Sequence, residues 1–323
     1  MYIEQAFKGR HELWRYIIGV FVVFGGSQII GGFLLGGAMV IKSMSGENMD
    51  MSDPMAILRI YDPNIMLVLM LLPFALGLLG LILWMKPVHG LPFGVLHSSK
   101  QKLDWKKVFF SFGLWGIISI LFIWIGYFIA PEDYQWNFEP VPFVIMCVIS
   151  VLLIPLQTSF EEYIFRGYLM QGIGAFARNR WVPLVITSVV FGLMHIFNPE
   201  IGKMGYVALV AYIGIGFFLG IITLMDEGLE LALGFHAANN LFIALFVTAD
   251  WTAFQTHSVL KDLSDPSVGL EIFFPLIVLY PLLTFIFARK YGWTGWKEKL
   301  FGRISVPEEN TGILTDESLH IKP

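Results

Sequence analysis

Residues 141–166 read VPFVIMCVISVLLIPLQTSFEEYIFR: some twenty apolar positions that run directly into two adjacent glutamates and an arginine. A run of that length matches the roughly 30 Å hydrocarbon core of a bilayer, which takes about 20 helical residues to cross. Working outward, further apolar runs lie at about 14–42, 65–85, 108–130, 182–198, 205–225, 229–248 and 270–288. An all-α polytopic membrane protein with about eight transmembrane helices is therefore expected. The whole chain agrees: of 323 residues, 56% are hydrophobic and only 14% charged, and mean hydropathy is +0.69. A soluble globular protein carries roughly a quarter charged residues, so a water-soluble enzyme and a disordered chain are both excluded. The net charge of -4 gives no basic field for nucleic acid, and the single cysteine, Cys147, can build neither an internal disulfide nor a thiolate zinc site.

The bases set the orientation. If the N-terminus is cytoplasmic, all 21 Lys and Arg residues except Lys42, Arg59, Lys203 and Lys261 fall in cytoplasmic segments. That supports eight crossings of the cell membrane with both termini cytoplasmic. Acids mark the outer loops: Glu47, Asp50, Asp53 and Asp62 in one, Glu132, Asp133 and Glu139 in another. The link 226–228 fits poorly, since it would be cytoplasmic yet carries Asp226 and Glu227 without a base. Asp226, Glu227 and Glu230 read most simply as a solvated loop end. Trp136, Trp181, Trp251, Trp293 and Trp296 near the span ends read as an interfacial belt. Residues 1–303 form one multi-pass domain with its core at about 139–250, followed by a polar tail at 304–323. The first run, long and rich in glycine, is not a cleavable signal peptide.

Ionisable side chains inside a bilayer cost several kcal/mol and are by default a functional signal. They are unevenly placed here. The second and third runs have none, whereas the fourth ends in Glu161, Glu162 and Arg166, the fifth holds His195, and the seventh holds His236 beside Asn239 and Asn240. Glu162 and Arg166 stand one helical turn apart, the spacing of an ion pair. Glu161 is then left facing a polar cavity, where desolvation would make its carboxylate a stronger base. Phe191 shares a helix face with His195, and His236 with Asn240. Three helices thus each carry a polar face that is better buried against the others than shown to lipid.

In order, Glu161-Glu162-Tyr163-Ile164-Phe165-Arg166, Phe191-Gly192-Leu193-Met194-His195 and His236-Ala237-Ala238-Asn239-Asn240 resemble the motifs EExxxR, FxxxH and HxxxN. These are the motifs of the CPBP or Abi family, the type II CAAX prenyl endopeptidases and their bacterial relatives. The resemblance covers about a third of the chain. It implies a glutamate-dependent intramembrane endopeptidase acting on membrane-associated proteins or peptides. In it Glu161 would be the general base that activates water with help from His195, His236 and Asn240 would form the oxyanion hole, and Glu162 with Arg166 would be a structural pair. Phe191 reads as a packing or substrate-contact residue. A positioned base and donors aimed at a developing oxyanion fit this chemistry, each donor being worth about 2.7–4 kcal/mol. No cofactor is expected.

Blander and rival readings stand beside this one. His195 could be a structural histidine bonded to a backbone carbonyl, and His236 with Asn240 could be interhelical glue, with Asn239 as an alternative donor. Glu161, His195 and His236 also have the composition of a two-histidine, one-carboxylate zinc site, although no local ligand spacing such as HExxH accompanies them. A catalytically idle scaffold or bacteriocin-immunity protein of the same fold is a further alternative, and a proton-relaying transporter is the weakest. Depth poses one problem. If the fourth helix ends near Glu161, His195 lies about 21 Å further from the inner end, counted from Trp181. The two meet if helices tilt, if the connection at 172–180 lies below the membrane plane or if the span ends are off by a turn, and the last two are favoured, with the fourth helix continuing past Glu161 toward Gly172.

Overall fold

The computed structural model describes residues 1–46, 55–266 and 269–306. Of the sequence features above, Glu47, Asp50, Asp53 and the tail beyond 306 lie outside the described residues. Among the described residues, six helices are long and apolar enough to cross a membrane: α1 (Leu13–Met44), α2 (Pro63–His89), α3 (Trp105–Ile129), α4 (Pro140–Ala177), α7 (Ala208–Asp226) and α9 (Ile272–Tyr291). Two shorter apolar helices, α5 (Trp181–Leu193) and α8 (Glu230–Phe246), stand where the fifth and seventh spans were expected. With 13 and 17 residues they reach only about 20 and 26 Å, so the expected eight spans resolve into six of full length and two short ones. Two further small α-helices are α6 (Pro199–Met204) and α10 (Trp296–Phe301).

Local chemistry sets several ends. Asp62 caps α2 by accepting from the Asn64 amide, and Pro63 opens the first turn. At the other end Gly90 takes a left-handed conformation at φ 72°. Asp104 caps α3 in the same way as Asp62 caps α2. Helix α5 stops early because the His195 ring takes the Phe191 carbonyl, while the His195 amide bonds one residue nearer, to Gly192. His195 therefore lies in a turn just beyond α5, not within a helix reaching 198.

Helix α8 is the centre of the bundle: every residue from Glu230 to Ala238 is buried. It packs against α3 and α4, while α5 pairs with α7 and α2 with α4. Glycine makes the tightest approaches possible. A Cβ on Gly234 would meet the Val108 carbonyl of α3 at 2.1 Å, and one on Gly216 would meet the Ser188 carbonyl of α5 at 2.7 Å.

Helix α4 resolves the depth problem. It is a 38-residue helix that continues past the glutamates to Ala177. Glu161 thus lies about 24 Å from the C-terminal end of α4 and His195 about 21 Å from the start of α5, so the two share a level. That level is the middle of the bundle, since Phe160 fills the space beside Gly77, halfway along α2.

The connections sort into two ends. At one, the Tyr2 hydroxyl donates to Leu96 O at 2.8 Å and Gln5 Nε2 to Ser99 O at 3.2 Å, and Asn179 bridges to Arg303. Asp226 and Glu227 belong here, and their side chains are 2% and 15% exposed rather than solvated. Asp226 pairs with Lys107 at 2.8 Å, and Glu227 lies 3.7 Å from Arg180 and accepts from the Tyr2 amide. The acids of the 226–228 link thus serve bases of the same end, which removes the mismatch noted in the sequence. Glu230 is buried too, as is Trp293, whose indole donates to Asp226. At the opposite end, β1 (Tyr134–Trp136), β2 (Val247–Ala249) and β3 (Leu260–Asp262) form a small sheet with β3 in the middle, antiparallel to β1 and parallel to β2.

Candidate active site

Glu161 and Glu162 sit where α4 widens into a π-helical stretch, Tyr163–Leu169, which also holds Arg166. Such bulges insert a residue and re-aim side chains, often at functional sites. Glu162 and Arg166 are fully buried and bonded at 3.0 Å, so their spacing in sequence does produce the expected pair. The guanidinium also donates to Gly216 O at 3.3 Å, and it lies 4.1 Å from the Phe191 ring centroid. Phe191 is therefore a packing platform for the arginine.

His236 comes up from α8 between the two glutamates. Its Nδ1 is 2.7 Å from Glu162 Oε1, and its Nε2 is 3.6 Å from Glu161 Oε2. Glu162 thus holds both Arg166 and His236, and Nε2 is the ring nitrogen left toward Glu161. His195 reaches the group from its turn, with Nδ1 2.9 Å from Phe191 O. It lies in the electrostatic field of Glu161, His236 and Arg166. Its imidazole stacks on Tyr212 of α7 at 4.2 Å and 17° between planes, which fixes the ring from one face.

Asn240 sits one turn beyond His236, and its Nδ2 donates to Gln157 Oε1 at 3.1 Å. Gln157 Nε2 in turn donates to Glu161 Oε1 at 2.7 Å. Asn239, the alternative donor, accepts from Trp115 Nε1 and donates to Asn240 Oδ1, each at 3.1 Å. The structure brings together Glu161, Glu162, Arg166, His195, His236 and Asn240 from three segments. It adds three side chains that reading the sequence did not single out. Gln157 had a signal, being an amide one turn before Glu161 within an apolar run. Tyr212 and Trp115 had none, because aromatic residues in apolar helices look like ordinary core. Among the described residues, no three His, Cys, Asp or Glu side chains are grouped to hold a metal ion.

A lipid-spanning helical bundle with buried carboxylates, histidines and amides at its centre is a polytopic membrane protein with a polar intramembrane site. Residues 140–242 match the family model described as Rce1-like type II CAAX prenyl endopeptidase, the family that the three motifs resemble. A Bacillus subtilis (strain 168) protein described as "Uncharacterized protein YyaK" is 29% identical over 278 residues, covering 85% of this chain and 91% of the relative. No solved structure gives a significant match.

Proposed function

We propose that the protein is an intramembrane endopeptidase in which Glu161 activates water for hydrolysis of a peptide bond. The observation that carries this reading is the contrast between two adjacent carboxylates. Glu162 is tied up by Arg166 at 3.0 Å and by His236 Nδ1 at 2.7 Å, whereas Glu161 meets His236 Nε2 only at 3.6 Å, has no Lys or Arg ion pair among the described residues and keeps slight exposure, 9%. Water held at Glu161 gives its proton to the carboxylate as its oxygen bonds to the scissile carbonyl carbon. The tetrahedral intermediate then collapses, the carbon–nitrogen bond breaks, and the amine leaves with the proton from Glu161. His195 assists through its second ring nitrogen, the first being committed to Phe191 O. The oxyanion is stabilised by Asn240, whose amide is already fixed by Gln157, and by His236 Nε2 when the ring carries both protons. The neighbouring carboxylates balance that charge. The end of the bundle bearing the N-terminus faces the cytoplasm, and the substrates are peptide segments of membrane-associated proteins.

A panel of prenylated and unprenylated peptides, cleaved by the protein in bilayers prepared in heavy-oxygen water, tests this. One solvent oxygen is expected in each new carboxyl terminus, even in a single turnover. Heavy oxygen appearing instead on the Glu161 side chain would show covalent catalysis and contradict the reading. The zinc alternative is weakened by the lack of a three-ligand group among the described residues. Stoichiometric zinc required for activity would revive it. For a scaffold, Glu161→Ala would keep the cellular phenotype.

A further inference from the structure

The hydrogen bonds linking Trp115 to Glu161 all run one way. Trp115 Nε1 donates to Asn239 Oδ1 at 3.1 Å, Asn239 Nδ2 to Asn240 Oδ1 at 3.1 Å, Asn240 Nδ2 to Gln157 Oε1 at 3.1 Å, and Gln157 Nε2 to Glu161 Oε1 at 2.7 Å. The end groups dictate this polarity. An indole can only donate, and an ionised carboxylate can only accept, so each amide between them must turn its oxygen toward the tryptophan and its NH2 toward the glutamate. The amide orientations are therefore fixed by the chemistry of the end groups.

We propose that Trp115 and Gln157, which lie outside the three motifs, are positioning residues of the site. They anchor and complete a one-way amide chain that commits Glu161 Oε1 and leaves Oε2 as the oxygen that takes the proton from water. This rests on the hydrolytic reading of Glu161. The chain is built rather than accidental. Gln157 and Trp115 are 4% and 7% exposed, so water competes little for their polar atoms. Trp115 is held where α3 and α8 meet, its ring 4.5 Å from Phe235, with Phe242 filling the space beside neighbouring Gly116. Glu161 Oε2, the oxygen outside the chain, is the one facing His236 Nε2 at 3.6 Å. The chain also turns the Asn240 NH2 toward Gln157, and its second N–H remains for an oxyanion.

The test uses the full chain in bilayers with Trp115→Phe, Gln157→Leu and the double variant. Gln157→Leu is expected to lower kcat about tenfold with KM changed less than about twofold. Trp115→Phe, which removes one donor and little volume, lowers kcat by a smaller factor. The double variant falls no further than Gln157→Leu, because the chain is already cut. Losses that multiply in the double variant would overturn the proposal. A second readout needs no activity: the side-chain amide resonances of Gln157, identified by their loss in Gln157→Leu, shift in Trp115→Phe although the two residues do not touch. If they stay in place, the chain does not exist as described. Should the wild-type protein cleave no peptide, the hydrolytic reading fails while the resonance measurement still decides the chain.

Discussion

Two neighbouring glutamates on one helix take different roles because of what surrounds each. Glu162 accepts from Arg166 and from His236, and none of these side chains is more than slightly exposed. Removing one partner of a buried charge pair leaves the other uncompensated, at a cost of about 3–5 kcal/mol. Arg166→Met is therefore expected to lower the thermal unfolding midpoint of the protein in detergent by about 4–7 degrees or to prevent folding, whereas Glu161→Gln, which keeps the amide-sized shape and loses only a base, should unfold within about one degree of wild type. Equal destabilisation by the two would contradict the division of roles. Tyr212 illustrates a contribution that spacing cannot disclose: its ring holds His195 only because α7 runs beside the end of α5.

Short elements matter as much as long ones. Helix α5 ends beneath the site, and its last carbonyls are taken by His195, so the early end of this helix is what delivers the imidazole to the level of Glu161. The connection that follows bears Glu200, whose Oε1 accepts from the Ala253 amide at 2.9 Å. Burial raises the Glu200 pKa above the ordinary glutamate range, and that backbone bond only partly offsets it. The fold therefore favours the protonated form. The associated stability is present at low pH and lost as pH rises from the unfolded value, about 4.3, through the folded one. Glu200→Gln should melt higher than wild type at pH 7, with the gap closing on acidification to about pH 4. A gap that widens on acidification would refute this. Where α3 and α8 touch, Gly234→Ala drives a methyl into the Val108 carbonyl. A loss of about 1–3 kcal/mol is expected, together with lowered activity, because His236 is two residues away.

At the scale of the molecule, the sequence made the bundle legible because apolar runs are long and the charge left inside them is sparse. Glu161, Glu162, Arg166, His195, His236 and Asn240 stood out for the same reason. The helix ends were less legible. Periodicity could not show that α4 runs on to Ala177 or that α5 stops at Leu193, because both ends depend on tertiary partners: the N-terminal segment packed on α4, and the His195 side chain. The buried acids Asp226 and Glu227 look solvated in the sequence because their cations, Lys107 and Arg180, come from distant parts of the chain. Orientation in the membrane has its own test. In a Cys147→Ser background, Lys100→Cys is expected to label from the cytoplasmic face and Lys203→Cys from the opposite one, and the reverse pattern would invert the topology. The central claim is that the molecule hydrolyses peptides through Glu161. The most direct measurement compares peptide cleavage by wild type and folded Glu161→Ala in the same bilayers. The account predicts cleavage by wild type and a loss of at least about a hundredfold in the variant. Cleavage by Glu161→Ala within a few-fold of wild type would contradict it.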